Sequence, residues 1–585
     1  MVPVMVMAGS AMTLGSFSAA SLVTLSQAAL PIVDIGYTVH QATLNSTGSG
    51  YFNFSNIRYA QPPVSPLHLS PPLAAVGRNL TVNDGSRGVI CPQVGPAWEV
   101  EAVLFLAAFL TGQNLTNYIH PTMTQTPAST KLSSLLALNS RTSEDCLFLD
   151  VIVNTTSGYH EAQCQAGKNC TVSAGAPVLV WIYGGGYTGG SKTGSGDPSS
   201  LIAKSLENDG EGVVYLAMNY RLGLFVGSDK FIRDWSSLPL GWLSGNENIT
   251  ANVGLLDQRL ALDWVQQNIY LFGGDPSRVT VMGESAGGGS IMHHITSYGG
   301  LGTVPFQQAI PQSPAFQPFV PAQSEAIFSQ VLNASSITNM TVSTADDLRA
   351  LSFEALYALN AILVGRSSYG SFYFGPAVDP KPHSYVPDFP LRLLANGSFH
   401  NISLMVGHNS NRGLVFTPPF IQDQRSSEKR LEPSLLLRTS LFCTATITDE
   451  LYPPVYNVTC PAYYLASKMS PAYGYVFQVP PGLHGQDVVA YTFFNGDNTT
   501  LNEGAFVNAT VAIAFQRYLT SFAVNGVPTA EGVPGFILYG GHHAVSSISS
   551  HFILIPGLGE HITDAAAMEE RCRFWAEAPY YSLDD

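Results

Sequence analysis

Short apolar runs alternate along the chain with segments of helical spacing. Residues 178–182, 213–219 and 279–282 are runs rich in aliphatic and β-branched side chains, as in buried strands. Residues 251–270 instead repeat apolar side chains at the spacing of a helix with one apolar face. This alternation predicts an α/β fold, with a mainly parallel sheet covered by helices on both faces.

The third apolar run ends in the sequence Gly-Glu-Ser-Ala-Gly at residues 283–287, and a helix is predicted from Ala286. A serine on a sharp strand-to-helix turn is exposed for attack, and the glycines around it let neighbouring backbone approach. The helix N-terminus favours an oxyanion that develops beside the serine. The pattern predicts that Ser285 is a catalytic nucleophile.

A second glycine motif, Gly184-Gly185-Gly186, follows the first apolar run. Consecutive glycines after a strand can turn their N–H groups into a pocket. Taken alone, the triplet could equally be a plain glycine-rich turn. Together with the serine motif it predicts an oxyanion hole formed by the N–H groups of Gly185, Gly186 and Ala286.

The charge of the chain excludes some classes of partner. Only 11% of the residues are charged, against about 25% in a typical soluble domain, and the net charge is −15. Nucleic acids and anionic membranes both require clustered Lys and Arg, so neither is an expected partner.

No linker, charge block or internal repeat divides the chain, which predicts one domain over residues 30–585. Residues 1–29 are apolar and uncharged and end near a small-x-small site, as in a secretory signal peptide, although a basic start is missing. A membrane anchor is the alternative for this segment. No other stretch is apolar enough to span a bilayer, so no stable membrane insertion is expected.

Glycosylation sequons and cysteines support a secreted, extracellular glycoprotein. Seven cysteines fit an oxidising compartment. The sequons are dense, and glycans would keep a surface of low charge soluble. They lie at Asn45, Asn53, Asn79, Asn114, Asn154, Asn169, Asn248, Asn333, Asn339, Asn396, Asn401, Asn457, Asn498 and Asn508.

Longer segments around the two glycine motifs carry a family resemblance. The serine motif and the segments that precede it, residues 252–259 and 273–276, resemble the cholinesterase, type-B carboxylesterase and lipase family. Two further segments match the same family, residues 143–149 and 219–223. The resemblance runs from about residue 57 to the C-terminal region and suggests a fungal member. It implies an α/β-hydrolase fold and a serine carboxylic ester hydrolase that acts on small hydrophobic esters without a cofactor or metal.

The resemblance also indicates the general base. Residues 484–488, His-Gly-Gln-Asp-Val, resemble the segment that carries the family's catalytic histidine, so His484 is predicted for this role. The alternatives His542 and His543 lack that context. His293 and His294 follow the serine motif and are interpreted as helix-face residues, not metal ligands.

The sequence departs from the family at the third member of the triad. The family places a glutamate just before a glycine, and the matching residues 407–413 carry Arg412 at that position. A cation there opposes the positive charge that the histidine gains during catalysis, which predicts weakened hydrolysis. Glu284, Asp379 and Asp487 are candidate replacement acids, although Asp487 is expected to brace its own segment.

The resemblance implies a disulfide between Cys91 and Cys146 that closes a flap over residues 91–146. Within this flap the apolar run 102–110 is either a lid or gorge wall for a bulky substrate, or an ordinary core helix. Proximity in sequence suggests that Cys164 pairs with Cys170 and Cys443 with Cys460, which leaves Cys572 over.

Three functions remain open from the sequence. The first is ester hydrolysis through an acyl-enzyme on Ser285. The second, motivated by Arg412, is a repurposed acyl transfer, lactonisation or cyclisation of a fungal metabolite. The third is a non-catalytic binding protein on the same scaffold, against which the retained serine, histidine and glycine triplet argue.

Overall fold

The computed structural model describes most of the chain. The described residues are 30–45, 50–63, 71–86, 88–115, 118, 138–155, 175–207, 210–224, 241–315, 319–338, 342–419, 459–496, 507–539, 544–549, 561–563 and 572. The predicted signal peptide, the pair Cys164–Cys170, Cys443, His542 and His543 lie outside them.

The strands in this part of the chain belong to two sheets. They are β1 (Ile32–Asp34), β2 (Thr38–Gln41), β3 (Thr43–Asn45), β4 (Tyr51–Arg58), β5 (Asn79–Asn83), β6 (Phe148–Asn154), β7 (Ala176–Ile182), β8 (Val214–Met218), β9 (Gly274–Glu284), β10 (Gln308–Gln312), β11 (Ser403–Asn409), β12 (Ala472–Phe477), β13 (Ala544–Ile548) and β14 (His561–Thr563).

The larger sheet has the strand order β14-β13-β12-β11-β10-β9-β7-β8-β6-β4-β3. Its strands from β13 to β8 run parallel, and β14, β6, β4 and β3 add antiparallel edges. β1, β2 and β5 form a small separate sheet. The mainly parallel sheet confirms the predicted α/β class.

Helices flank this sheet. They are α1 (Ala97–Leu110), α2 (Ser199–Ser205), α3 (Val253–Asn268), α4 (Ala286–Ile295), α5 (Pro321–Ala334), α6 (Ala345–Arg349), α7 (Phe353–Gly365), α8 (Pro390–Ala395), α9 (Gly413–Phe416), α10 (Cys460–Lys468) and α11 (Ala509–Asn525). Short 3₁₀ helices at Ile269–Phe272, Ser297–Gly300 and Ser335–Thr338 and a π-helix at Asp487–Thr492 complete the set.

The predicted elements occur where the hydrophobic pattern indicated them. The three apolar runs lie in β7, β8 and β9, and the segment of helical spacing forms α3. β7 and β9 are parallel neighbours, with Ile182 in register with Gly283. The glycine triplet and the serine motif therefore leave the sheet side by side, at the carboxyl ends of adjacent strands.

A buried ion pair fixes the loop after β8. The Arg221 guanidinium contacts the Asp257 carboxylate at 2.5 Å, and the same carboxylate accepts the Arg221 backbone N–H at 3.1 Å. Both side chains are buried. Asp257 lies on α3, so the pair ties α3 to the loop that follows β8, two of the segments that carried the family resemblance.

Two disulfides occur among the described residues. Cys91 is joined to Cys146 at a sequence separation of 55, and this bond closes the flap. Cys460 is joined to Cys572 across 112 positions, so the prediction that Cys460 pairs with Cys443 was wrong. Proximity in sequence misled the prediction because the fold brings a distant C-terminal segment to the start of α10.

Helices in the described ranges are too short or too polar to cross a membrane.

Candidate active site

Ser285 lies in a strained turn between β9 and α4. Its φ of 55° and ψ of −121° are unfavourable for any residue other than glycine. The glycines on either side make the turn possible: a Cβ at Gly283 would lie 2.6 Å from the carbonyl oxygen of Ile182, and one at Gly287 only 2.0 Å from it. The backbone is thus held against β7, with Ser285 at the N-terminus of α4.

The glycine triplet packs directly against this turn. A Cβ at Gly184 would lie 2.9 Å from the Cβ of Ser285, and Gly185 and Gly186 both have positive φ, 101° and 60°. Within the described ranges, the N–H groups of Gly185, Gly186 and Ala286 donate to no backbone carbonyl. The structure therefore brings the three predicted oxyanion donors and Ser285 into one place.

His484 reaches the same site from the loop after β12. Its Nε2 lies 3.1 Å from Oε1 of Glu284, and the two side chains are only 8% and 12% exposed. The two atoms are within ion-pair distance but lack hydrogen-bond alignment. Neither ring nitrogen of His484 has a hydrogen-bond partner in the part of the chain that is described. Catalytic hydrogen bonds are commonly long or misaligned before substrate binds.

Burial dominates the electrostatics of this pair. It lowers the pKa of His484 to about 3, with a further contribution from the charge of Arg412. Burial, reinforced by the charge of Asp487, raises the pKa of Glu284 well above its usual value. Both shifts favour neutral forms, so the resting imidazole is neutral at physiological pH.

Arg412 occupies the position predicted from the sequence, and its side chain is turned inward. It is 3% exposed, and its Nη1 lies 3.1 Å from Nδ1 of His408 and donates to the carbonyl oxygen of Asn409 at 3.0 Å. Its charge lowers the pKa of His484. A buried cation therefore acts on His484 from residue 412, the position at which the sequence resemblance leads one to expect a carboxylate.

The other candidate acids have different partners. The Asp487 carboxylate accepts a hydrogen bond from the Tyr475 hydroxyl at 2.9 Å and one from the Gln312 amide at 3.4 Å. Burial raises its pKa to about 6. Asp379 accepts the backbone N–H of Lys381 within a turn. Glu284 is thus the candidate that the structure brings to His484.

The histidines on α4 are buried, as expected for the inner face of a helix. His294 lies 2.5 Å from the Tyr385 hydroxyl and 3.0 Å from the side-chain oxygen of Gln258. Burial lowers the pKa of both His293 and His294 to about 3. These contacts belong to the packing of α4 and not to the site at Ser285.

An aromatic wall beside the site was not identified from the sequence. It consists of Trp98, Tyr369, Phe372 and Phe416 and is here called the aromatic wall. Phe416 packs edge-on against His484 with ring centroids 4.8 Å apart, and a Cβ at Gly186 would overlap Phe372. These residues are far apart in sequence and carry no shared motif, so only the fold brings them together.

Comparisons with known proteins identify the family of this chain. The family model described as "Carboxylesterase family" matches residues 39–445. "Carboxylesterase patB" of Penicillium expansum is 36% identical over 95% of this chain and 97% of its own length. "Secreted lipase 1" of Botryotinia fuckeliana is 29% identical over 67% of this chain and 61% of its own length.

The fold also has solved counterparts. The crystal structure of Aspergillus niger EstA superposes with a TM-score of 0.69 at 21% identity, and the match covers 94% of this chain and 98% of that one. Such esterases have the α/β-hydrolase fold, and the sheet described above has the same architecture. The family match over most of the chain, with a relative at 36% identity, leads to one conclusion: this chain belongs to the carboxylesterase family.

Proposed function

We propose that the protein hydrolyses small hydrophobic carboxylic esters through an acyl-enzyme on Ser285. The Ser285 oxygen forms a bond to the ester carbonyl carbon as its proton passes to His484, and the carbonyl electron pair becomes an oxyanion. The N–H groups of Gly185, Gly186 and Ala286 stabilise that oxyanion. The intermediate then collapses: the bond to the alcohol oxygen breaks, and His484 gives its proton to that oxygen. Water releases the acid by the same steps.

The observation that carries this proposal is the geometry of the turn. Ser285 has a backbone conformation that costs of order 1–3 kcal/mol, and it sits where two glycine-rich loops and a helix N-terminus converge. Strain of this kind persists where the surrounding structure enforces it for a function. The arrangement suits attack on an acyl carbon and stabilisation of the resulting negative charge.

The aromatic wall supports a hydrophobic substrate. It borders Gly186 on one side and His484 on the other, so an ester carbonyl held by the glycine N–H groups would place an apolar group against it. Helix α1 contributes Trp98 to this wall and packs Ala102 against it. This position favours a lid or gorge wall for α1 over an unrelated core helix.

Arg412 is expected to reduce the catalytic efficiency of the hydrolysis. In serine proteases, exchanging the triad acid for its neutral isostere lowers turnover by about 10⁴. Arg412 places a buried positive charge close enough to lower the pKa of His484, which weakens that residue as a base. Hydrolysis slower than that of relatives with a complete triad is expected.

A secreted, glycosylated state belongs to the same proposal. It is supported by the apolar residues 1–29, the dense sequons and the likeness to a secreted lipase. The two disulfides also suit an oxidising compartment.

Covalent labelling tests the proposal. A fluorescent alkyl fluorophosphonate should label the purified protein at Ser285, and the label should disappear in Ser285→Ala. Peptide mass spectrometry identifies the modified residue. Absence of labelling in protein that melts cooperatively would contradict the proposal.

Arg412 also favours a second candidate, an acyl transfer, lactonisation or cyclisation of a fungal metabolite. A weak base activates water poorly, so it slows hydrolysis of the acyl-enzyme. A hydroxyl group within the substrate is already close to the acyl carbon, so its attack depends less on a strong base. The two functions differ in product. The test substrate is an ester that carries a hydroxyl group on its acyl chain. A hydrolase should convert it to the free hydroxy acid, and a cyclising enzyme should convert it to the lactone. The two products differ in mass by one water, which mass spectrometry detects.

A further inference from the structure

We infer that Gln93, at the base of the flap, is a positioning residue for the oxyanion hole. Its side chain holds the loop after β7, and that loop aims the N–H group of Gly186. The inference rests on the proposed ester hydrolysis and deepens it. In this role Gln93 acts through the loop and not on the substrate.

The peptide unit between Gly185 and Gly186 explains how the loop aims a donor. This unit contains the carbonyl of Gly185 and the N–H of Gly186, and because it is planar and trans the two groups point in opposite directions. The Gly185 carbonyl accepts the N–H groups of Thr188 at 3.1 Å and Gly189 at 2.9 Å. These bonds hold the carbonyl inside a turn, so the Gly186 N–H points out of it.

The base of the flap holds this turn from outside. The N–H of Val94 donates to the carbonyl of Thr188 at 3.0 Å, and the N–H of Gly190 donates to Oε1 of Gln93 at 2.8 Å. Gly190 also lies against the start of the triplet, since a Cβ there would be 2.6 Å from the carbonyl oxygen of Gly184. A shift of Gly190 is therefore transmitted to the oxyanion hole.

Gln93 is itself fixed in place. Its Nε2 donates to the carbonyl of Cys91 at 3.4 Å, and Cys91 is buried and bonded to Cys146. The hydroxyl of Tyr357 donates to the Gln93 backbone carbonyl at 3.5 Å. Because the amide nitrogen faces a carbonyl, the amide oxygen is the atom that faces Gly190. The flap and the oxyanion hole thus share one anchor.

Substitution of Gln93 gives the primary result. Gln93→Met removes the acceptor with little change in side-chain length, so the Gly190 N–H loses its partner and the turn relaxes. We expect kcat to fall about tenfold, less than the 10²–10³-fold of a lost oxyanion donor, because the Gly186 N–H is misaligned and not removed. KM should change little, since the oxyanion exists only after attack. Gln93→Glu keeps an acceptor oxygen and should retain more of the kcat.

Two further measurements separate positioning from a merely structural role. An alkyl trifluoromethyl ketone forms a hemiketal oxyanion on Ser285, so its affinity should weaken by about the factor by which kcat/KM falls. In the Gly186→Ala background, Gln93→Met should have little further effect on kcat, because the donor that it aims is already displaced.

Gln266 provides a matched control. Its Nε2 donates to the carbonyls of Pro276 at 2.9 Å and Pro305 at 3.0 Å, so it also ties two segments together, near the amino end of β9 and away from Ser285. Gln266→Met should lower the melting temperature and leave kcat unchanged. Hydrogen exchange of residues 184–190 should be faster in Gln93→Met and unchanged in Gln266→Met, and this measurement needs no substrate.

Three outcomes would overturn the inference. The first is a cooperatively melting Gln93→Met protein with wild-type kcat, and the second is unchanged exchange of residues 184–190 in that variant. The third is a reduced kcat with unchanged ketone affinity and with losses that add to those of Gly186→Ala. Ester turnover that survives Ser285→Ala would instead refute the proposed function itself, so the two failures are distinguishable.

Discussion

The backbone around Ser285 is held in a constrained conformation. Ser285, Gly185 and Gly186 all have positive φ, and a Cβ at Gly287 would run into a backbone carbonyl. An N–H group in such a loop is already aimed before the substrate arrives, so no free energy is spent on reorganisation during the reaction. In the proposed hydrolysis, the glycines are therefore a requirement of the chemistry and not only of the turn.

A methyl group at Gly186 should block this arrangement. Its Cβ would lie 2.0 Å from a ring carbon of Phe372 at a φ of 60°, so the loop or the aromatic wall must move. We expect Gly186→Ala to lower kcat about 10²–10³-fold, as for loss of an oxyanion donor. Steady-state kinetics with a soluble nitrophenyl ester measures this.

Gly397 is the matched control for that substitution. It has a φ of 78°, but a Cβ there would meet no atom within 4 Å. Gly397→Ala therefore carries the backbone strain without the collision. Equal losses of activity in the two variants would show that strain in general, and not the position of Gly186, is responsible.

The sequence predicted some residues of the candidate site and not others. The motifs around Ser285, the glycine triplet and His484 indicated the residues that the structure brings together, because each motif encodes its own local turn. The contact between Glu284 and His484 joins residues 200 positions apart, and no local pattern reports it. Arg412 was visible in the sequence, but only the fold shows that its side chain points inward.

Helix α1 is apolar on both of its faces. Trp98, Ala102 and Leu106 are buried, whereas Val100, Val103 and Leu104 are 62%, 60% and 54% exposed. A helix that is apolar all round shows no periodic face, so the sequence could not decide between a lid and a core helix. The structure combines features of both, with an inner side packed on the aromatic wall and an outer side in solvent.

The packing of α1 should weaken as the pH rises. Burial raises the pKa of Glu99, in its first turn, to about 7, and burial also raises the pKa of Glu101 nearby. In the packed helix, the Glu99 carboxyl keeps its proton up to about pH 7. In an unpacked helix, the same carboxyl loses its proton above about pH 4.5. The stabilisation is complete below that pH and is lost as the pH rises through 7.

Hydrogen exchange measures this effect. After correction for intrinsic rates, amides of α1 should exchange faster at pH 8 than at pH 5 in the wild type, and Glu99→Gln should remove most of the difference. Glu325→Gln, at an exposed position on α5, serves as the control. The same pH dependence in Glu99→Gln would contradict the assignment.

On the scale of the whole molecule, the alternation of strands and helices was sufficient to predict the fold class. Each apolar run is buried on both faces of the sheet, which the sequence expresses as an unbroken hydrophobic stretch. The partner of Cys460 could not be predicted in this way. A disulfide across 112 positions depends on the global path of the chain, and sequence proximity contains no information about that path.

The surface of the molecule also predicts which sequons carry glycans. Asn79, Asn248, Asn333 and Asn396 are exposed, whereas Asn154 is 0% exposed and its side-chain amide donates to the carbonyl of Gly50 at 3.3 Å. A glycan cannot be accommodated at a buried amide. In protein secreted by a eukaryotic host, these four asparagines should be occupied and Asn154 should not.

Enzymatic deglycosylation in ¹⁸O-water followed by peptide mass spectrometry measures this occupancy. The exposed asparagines should convert to ¹⁸O-labelled aspartate, and Asn154 should remain unmodified. A glycan on Asn154 in folded, active protein would contradict the position of β6 in the sheet.

The outer face of α1 has a practical consequence. Three exposed aliphatic side chains on one helix surface, in a molecule of low charge, lead us to expect a surface-active protein. Stirring or sparging a dilute solution should therefore drive protein into the foam, with α1 meeting the air first. A trace of non-ionic surfactant should keep the enzyme in the bulk liquid and preserve its titre during purification.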